Sequence, residues 1–204
     1  MGSCHPARRE VSSMGATTQP ASRPASDAVA RYSRVARWLH WLGLVLLFQL
    51  WLGWWMVDLP KSPPGLRAGW FNLHKSIGLV LLLLVVARLW WRSAHPPPPF
   101  PALPHWQQVL ARVNHGLLYA WMLLMPVTGY LGSSFSGYPV RLFGWTLPGW
   151  GWKWPAAKEL LSRVHEALAW LLITLIVLHV LAVIWHALRK DKILQRMLPR
   201  RGQG

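Results

Sequence analysis

Carboxylates are scarce in this chain: six Asp and Glu stand against 22 Lys and Arg in 204 residues. An ion or proton path through a membrane needs acids or hydroxyls along it. Within the apolar blocks Glu166, at an end, is the only carboxylate, which argues against a metal or proton transporter. Cysteine is rarer still, for Cys4 is alone. One thiol builds neither a disulfide framework nor a thiolate metal site within a single chain. Internal repeats, a phosphate-cradling glycine loop and a Ser-His-Asp hydrolase arrangement are all missing. The segments 77–87 and 168–184 have no polar stripe for water to wet, which excludes an ordinary soluble bundle.

What is present is apolar bulk. Hydrophobic residues make up 53% of the chain and gather in blocks at 38–57, 71–91, 113–132 and 164–188. Each block comes close to or exceeds the roughly 20 residues that cross the hydrocarbon layer as a helix. The predicted fold class is therefore an all-α membrane protein, a bundle of four transmembrane helices. Fifteen of the 22 basic residues lie in the N-terminal tail, the second connection with its flanks and the C-terminal tail, which predicts cytoplasmic N and C termini. Trp38, Trp41, Trp90, Trp91 and Trp185 fit one interfacial belt, and Trp54, Trp55, Trp70, Trp150, Trp152 and Trp154 the other. The net charge of +16 reads as this topology signal and not as nucleic-acid binding. Residues 1–30 lack an apolar core and read as a disordered tail, not a signal peptide. The proline-rich stretch 95–101 reads as a stiff connection. The Gly- and Trp-rich stretch 133–163 is expected to lie against the outer surface.

Four histidines sit inside or at the rims of these blocks: His40, His74, His165 and His179. Titratable groups at membrane depth are costly and point to function. His165 and His179 are 14 residues apart, which keeps them within about 40° of one helix face and separates them by about 21 Å along the axis. With helices running alternately, His40 matches the depth of His179, and His74 that of His165. Two facing pairs at two depths are what two six-coordinate haem groups require; zinc wants three or four ligands at one point. Gly43 and Gly78 follow His40 and His74 on the same faces and leave room for a flat ring. Arg34 and Arg37 inside, and Lys75 and Arg163 outside, are candidates to pair with haem propionates. Two axial histidines leave the iron no open position, so one-electron transfer is the expected chemistry. His115 and His186 read as rim or quinone-site residues; His5, His95 and His105 carry no signal.

Taken in order, Arg31-Tyr32-Ser33 before His40-Trp41, His74-Lys75-Ser76-Ile77-Gly78, Asn114-His115-Gly116-Leu117-Leu118-Tyr119, Met125-Pro126-Val127-Thr128-Gly129-Tyr130, His165-Glu166, His179 and the stretch 191–199 resemble the bacterial cytochrome b561 family. The resemblance covers about residues 31–200. It implies a four-helix inner-membrane protein with two b-type haems on His40, His74, His165 and His179, exchanging electrons with ubiquinone. Some members of the family are superoxide oxidases that pass the electron to the quinone. A cytochrome b anchor subunit for a separate dehydrogenase or hydrogenase is the alternative, with the Trp-rich stretch 144–154 as its docking surface for a redox protein.

Overall fold

The computed structural model describes residues 1–2, 30–59, 65–99, 103–149 and 151–199. The expected tail falls almost wholly outside these residues, as do Lys61 and Trp150. Five α-helices carry the described chain: α1 (Arg34–Leu46), α2 (Gln49–Trp55), α3 (Leu66–Ala94), α4 (His105–Ser134) and α5 (Pro155–Leu188). The elements α1 and α2, with the short 3-10 turn Met56–Asp58, form one broken span from Arg34 to Asp58. The break at Leu47 and Phe48 keeps helical dihedrals, so the axis shifts without turning back.

Local chemistry sets the helix ends. Ser33 caps α1 by accepting from the Ala36 amide at 3.2 Å. Gly65 precedes α3 at φ 91°, a left-handed value that glycine adopts without steric cost. Pro104 precedes α4, and Pro155 opens α5 where a missing N–H costs nothing. Pro126 lies inside α4, buried, and the helix continues through it.

The span Arg34–Asp58 and the helices α3 and α5 are long and apolar enough to cross a membrane. The 30-residue α4 does not meet that measure, for its first half holds Gln107, Gln108, Arg112, Asn114 and His115. In α5, Leu171, Leu178 and Leu181 each expose half or more of their surface. Such a face suits lipid, where apolar side chains need no cover.

The chain is not purely helical. Val140–Leu142 and Trp145–Leu147 pair antiparallel as β1 and β2, with Val140 opposite Leu147. Phe143 at φ 47° and Gly144 at φ 100° form the two-residue turn, both positive as a primed hairpin turn requires. The hairpin docks on α3, where the buried Ser76 hydroxyl accepts from the Phe143 amide at 2.8 Å. It lies within the Gly- and Trp-rich stretch and defines a hairpin face at one end of the bundle.

The opposite, terminal face is tied by backbone carbonyls. The buried Arg196 donates through Nε to Ala30 O (3.0 Å) and through Nη2 to Pro98 O and Pro99 O (2.9 and 2.8 Å). Trp41 donates to Met197 O at 3.0 Å and Arg37 to Leu198 O at 2.6 Å. One guanidinium thus joins the start of the bundle, the proline-rich connection and the C-terminal turn. Replacing Arg196 with Ala leaves three carbonyls without their charged donor and is expected to cost roughly 2–4 kcal/mol. Thermal unfolding of the detergent-solubilised protein, followed by tryptophan fluorescence, measures it; Arg196→Lys should recover part of the loss.

Candidate functional site

Fourteen residues is four turns less about 40°, so a helix repeats nearly the same face about 21 Å along. α5 does this with His165 and His179 (179 − 165 = 14), α3 with His74 and Arg88 (88 − 74 = 14), and α4 with His115 and Gly129 (129 − 115 = 14). The broken first span does it with His40 and Gly53, one residue closer (53 − 40 = 13). The packing brings these eight positions into two layers.

The layer toward the terminal face holds His40, Arg88, His115 and His179. The His40 and His179 ring centres are 6.3 Å apart at an interplanar angle of 70°. His115 stands 5.4 Å from His179. Arg88 Nη1 is 3.0 Å from His40 Nδ1, and its Nε donates to the Tyr119 hydroxyl at 2.9 Å. The layer toward the hairpin face holds Gly53, His74, Gly129 and His165. The His74 and His165 ring centres are 6.2 Å apart at 82°. A Cβ on Gly53 would stand 2.8 Å from His74 Cε1, and one on Gly129 3.0 Å from His165 Cε1. Each glycine therefore makes the space one imidazole occupies.

The hydrogen bonds fix the tautomers. A carbonyl only accepts, so His165 Nδ1, 2.9 Å from Met125 O, carries the proton and leaves Nε2 bare. A guanidinium only donates, so His40 Nδ1 accepts from Arg88 and the neutral ring holds its proton on Nε2. His74 Nδ1 is buried, and among the described residues no well-formed hydrogen bond reaches it.

A haem fits these residues. A metal–imidazole bond of about 2.0 Å, with about 1.1 Å from nitrogen to ring centre on each side, places two axial rings roughly 6.2 Å apart. Both pairs stand at that separation, whereas His115 lies too close to His179 to share an axis with it. The bare Nε2 of His165, its proton held by a backbone carbonyl, is the arrangement of a metal-bound histidine. At His40 a metal on Nε2 would move the ring's proton to Nδ1, where the Arg88 guanidinium cannot accept it, so that contact would have to open. Among the described residues no three His, Cys, Asp or Glu side chains converge to hold an ion by themselves.

The other predicted residues are distributed differently. Gly43 meets Leu84, and Gly78 meets the Gln49 amide, so both sit at helix contacts rather than against a ring. Arg34 is exposed. Arg37 turns to Leu198 O, and Arg163 pairs with Glu159 at 2.9 Å on the surface. Lys75 is half-buried beside His74. His186 pairs with Asp191 at 2.7 Å. Sequence reasoning gave Arg88 a role in topology and Gly129 a place in the family motif but neither a place in the site, and it passed over Gly53, although the 14-residue intervals from His74 to Arg88 and from His115 to Gly129 are legible in the sequence.

The family model described as prokaryotic cytochrome b561 matches residues 31–200. "Cytochrome b561 homolog 2" of Escherichia coli (strain K12) is 34% identical over 180 residues, covering 82% of this chain and 91% of that protein. "Cytochrome b561 homolog 1" of the same organism is 28% identical over 184 residues, covering 84% and 98%. With its paired imidazoles and apolar helices, the chain belongs to the prokaryotic cytochrome b561 family of membrane electron-transfer proteins, which bind haem b.

Proposed function

We propose that this protein is a di-haem cytochrome of the bacterial inner membrane that moves single electrons between its two faces and exchanges them with ubiquinone. The observation that carries the reading is the pair of imidazole couples, 6.3 and 6.2 Å between ring centres, at two levels of one bundle. His40 and His179 would hold one haem b and His74 and His165 the other. When bound, haem supplies a one-electron iron couple. The levels lie about 21 Å apart along α5, enough to bridge most of the hydrocarbon.

The chain's own groups do the rest. The carbonyl of Met125 orients His165, Gly53 and Gly129 leave their neighbours room, and Arg88 stands beside His40 with its Nε bonded to Tyr119. In this reading α4 is the fourth span. Its polar first half faces the terminal layer through His115, and both termini are cytoplasmic by the distribution of Lys and Arg.

The test is a reduced-minus-oxidised absorption spectrum of the purified protein with pyridine haemochrome quantification. Two b haems per chain are expected; none, or only one, overturns the reading. His179→Ala should remove the terminal-level signal alone, and His165→Ala the other, since each leaves one couple intact. A two-haem spectrum in either variant refutes that ligand assignment.

The glycines give a finer check. Gly53→Ala places a methyl within 2.8 Å of the His74 ring and should displace or convert to high spin the hairpin-level haem alone. Gly43→Ala adds a methyl 3.7 Å from Leu84, an ordinary contact, and should leave both signals unchanged.

Superoxide as the donor is the second reading, favoured by the charge toward the hairpin face. Among the described residues Arg67, Lys75, Arg141, Lys153, Lys158 and Arg163 stand there against Asp58, Glu159 and Glu166, a formal excess of 6 − 3 = +3. A surplus where topology favours fewer cations would attract a small anion. Haem reduction by superoxide, followed by pulse radiolysis, should then slow as salt rises and screens the field over about 10 Å at 0.1 M. A rate independent of salt removes this reading and leaves the quinone-linked carrier standing.

A further inference from the structure

Apart from its tryptophans, the apolar block 38–57 contains two polar side chains, His40 and Gln49. Gln49 is 5% exposed, and its Oε1 has no hydrogen-bond partner among the described residues. The amide lies against α3 where Gly78 leaves room, with Oε1 and Nε2 at 3.6 and 3.7 Å from where a Gly78 Cβ would stand. One helical turn away are Gly53 on the same helix (53 − 49 = 4) and His74 on α3 (78 − 74 = 4). An amide buried in a membrane span without a partner is costly, so its presence calls for a donor.

The seating of the two imidazoles at the hairpin level identifies that donor. On α4 the Met125 carbonyl and Gly129, four residues later, form the surface on which His165 lies. Its Nδ1 donates to Met125 O at 2.9 Å, and the Thr128 hydroxyl is 3.3 Å from the same nitrogen. On α2, Gln49 and Gly53 present the same surface to His74. Cε1, Nδ1 and Nε2 of His74 are 2.8, 3.4 and 3.7 Å from a Cβ built on Gly53, against 3.0, 3.2 and 3.9 Å for His165 at Gly129. The rings are seated alike, and the His74 ring approaches the Gln49 carbonyl. Yet no well-formed hydrogen bond reaches His74 Nδ1, and Leu52 stands where α4 has Thr128 (52 − 49 = 3, 128 − 125 = 3). A buried nitrogen short of an acceptor and a buried oxygen short of a donor thus belong to residues already in contact.

We propose that Gln49 is the positioning residue of His74, its side-chain carbonyl accepting the Nδ1 proton as Met125 O accepts that of His165. The proposal rests on the haem assignment above, because a metal on Nε2 leaves the neutral ring's one proton on Nδ1. The terminal torsion of glutamine is broad, so the amide can turn from Gly78 toward the ring. Such a bond raises the basicity of the imidazole and favours the oxidised metal.

Spectroelectrochemistry of the full-length haem-loaded protein tests this, with haem content checked by pyridine haemochrome and the hairpin-level haem identified by its loss in His165→Ala. Gln49→Leu removes the acceptor. It should raise the midpoint of that haem by about 59 mV, the one-electron equivalent of a tenfold change in its oxidised-to-reduced ratio, and shift its ferric low-spin EPR signal, with the terminal-level haem unchanged. Gln49→Glu keeps an accepting oxygen in either protonation state and should return the midpoint to the parent value or below it; altered packing alone gives no such rescue. Equal midpoints in the parent and Gln49→Leu, or a shift that Gln49→Glu does not reverse, overturn the proposal. Should Gln49→Leu not fold, Gln49→Met, unbranched and of similar length, is read the same way. A parent protein without the hairpin-level haem overturns the ligand assignment and this proposal with it, whereas two haems and no shift overturn the proposal alone.

Discussion

An imidazole at membrane depth must find partners for both ring nitrogens, and that requirement organises the bundle. A neutral histidine offers one donor and one acceptor, and hydrocarbon satisfies neither. His165 meets half of it with Met125 O and His40 meets half with Arg88. In each case the other nitrogen is left for something that enters from the bundle interior. The ring centres of the two couples stand 6.2–6.3 Å apart, the separation that a metal shared by two imidazoles would require. Among the described residues few side chains are fully buried within the bundle.

The two layers satisfy the same requirement with different neighbours. At the hairpin level both imidazoles lie against glycines, so backbone approaches ring, and the Met125 carbonyl accepts from His165 Nδ1. At the terminal level the corresponding positions are Arg88 and His115, and the couple sits among cations and further donors. The interval that produces the layers is four helical turns, shortened to 13 residues in the first span. That shortening coincides with the break at Leu47 and Phe48, which resets the helical phase so that Gly53 still faces His74.

Much of this was legible in the sequence. The four apolar blocks fall inside the first span, α3, α4 and α5, because hydropathy over 20 residues is a property of composition alone. The boundaries ran short, since polar ends such as Gln107, Gln108 and Arg112 continue a helix without contributing to its apolar count. The two couples were readable because His165 and His179 share one helix and fix both depths at once. What escaped was anything set by contact between helices. Gly43 and Gly78 lie on the same faces as their histidines, but face is a property of one helix, and which neighbour fills the space depends on packing. The hairpin escaped too: three-residue strands around Phe143-Gly144 carry too little alternation, and its anchor, Ser76, lies 67 residues away.

Arg88 shows most clearly why a charge can be misread. In sequence it is a cation near the end of an apolar block, in the basic flanks of the second connection, the position of a topogenic residue. In space it is the α3 member of the terminal layer, one 14-residue repeat from His74, held between His40 and Tyr119. Both descriptions are physically sound, because a guanidinium near a membrane rim reports orientation through its charge and builds a site through its five donors. As a topology signal its charge would count at any position on that flank of the helix. The residue serves the site only because α3 repeats its face every four turns, and that places the second role in the helix geometry and not in the charge.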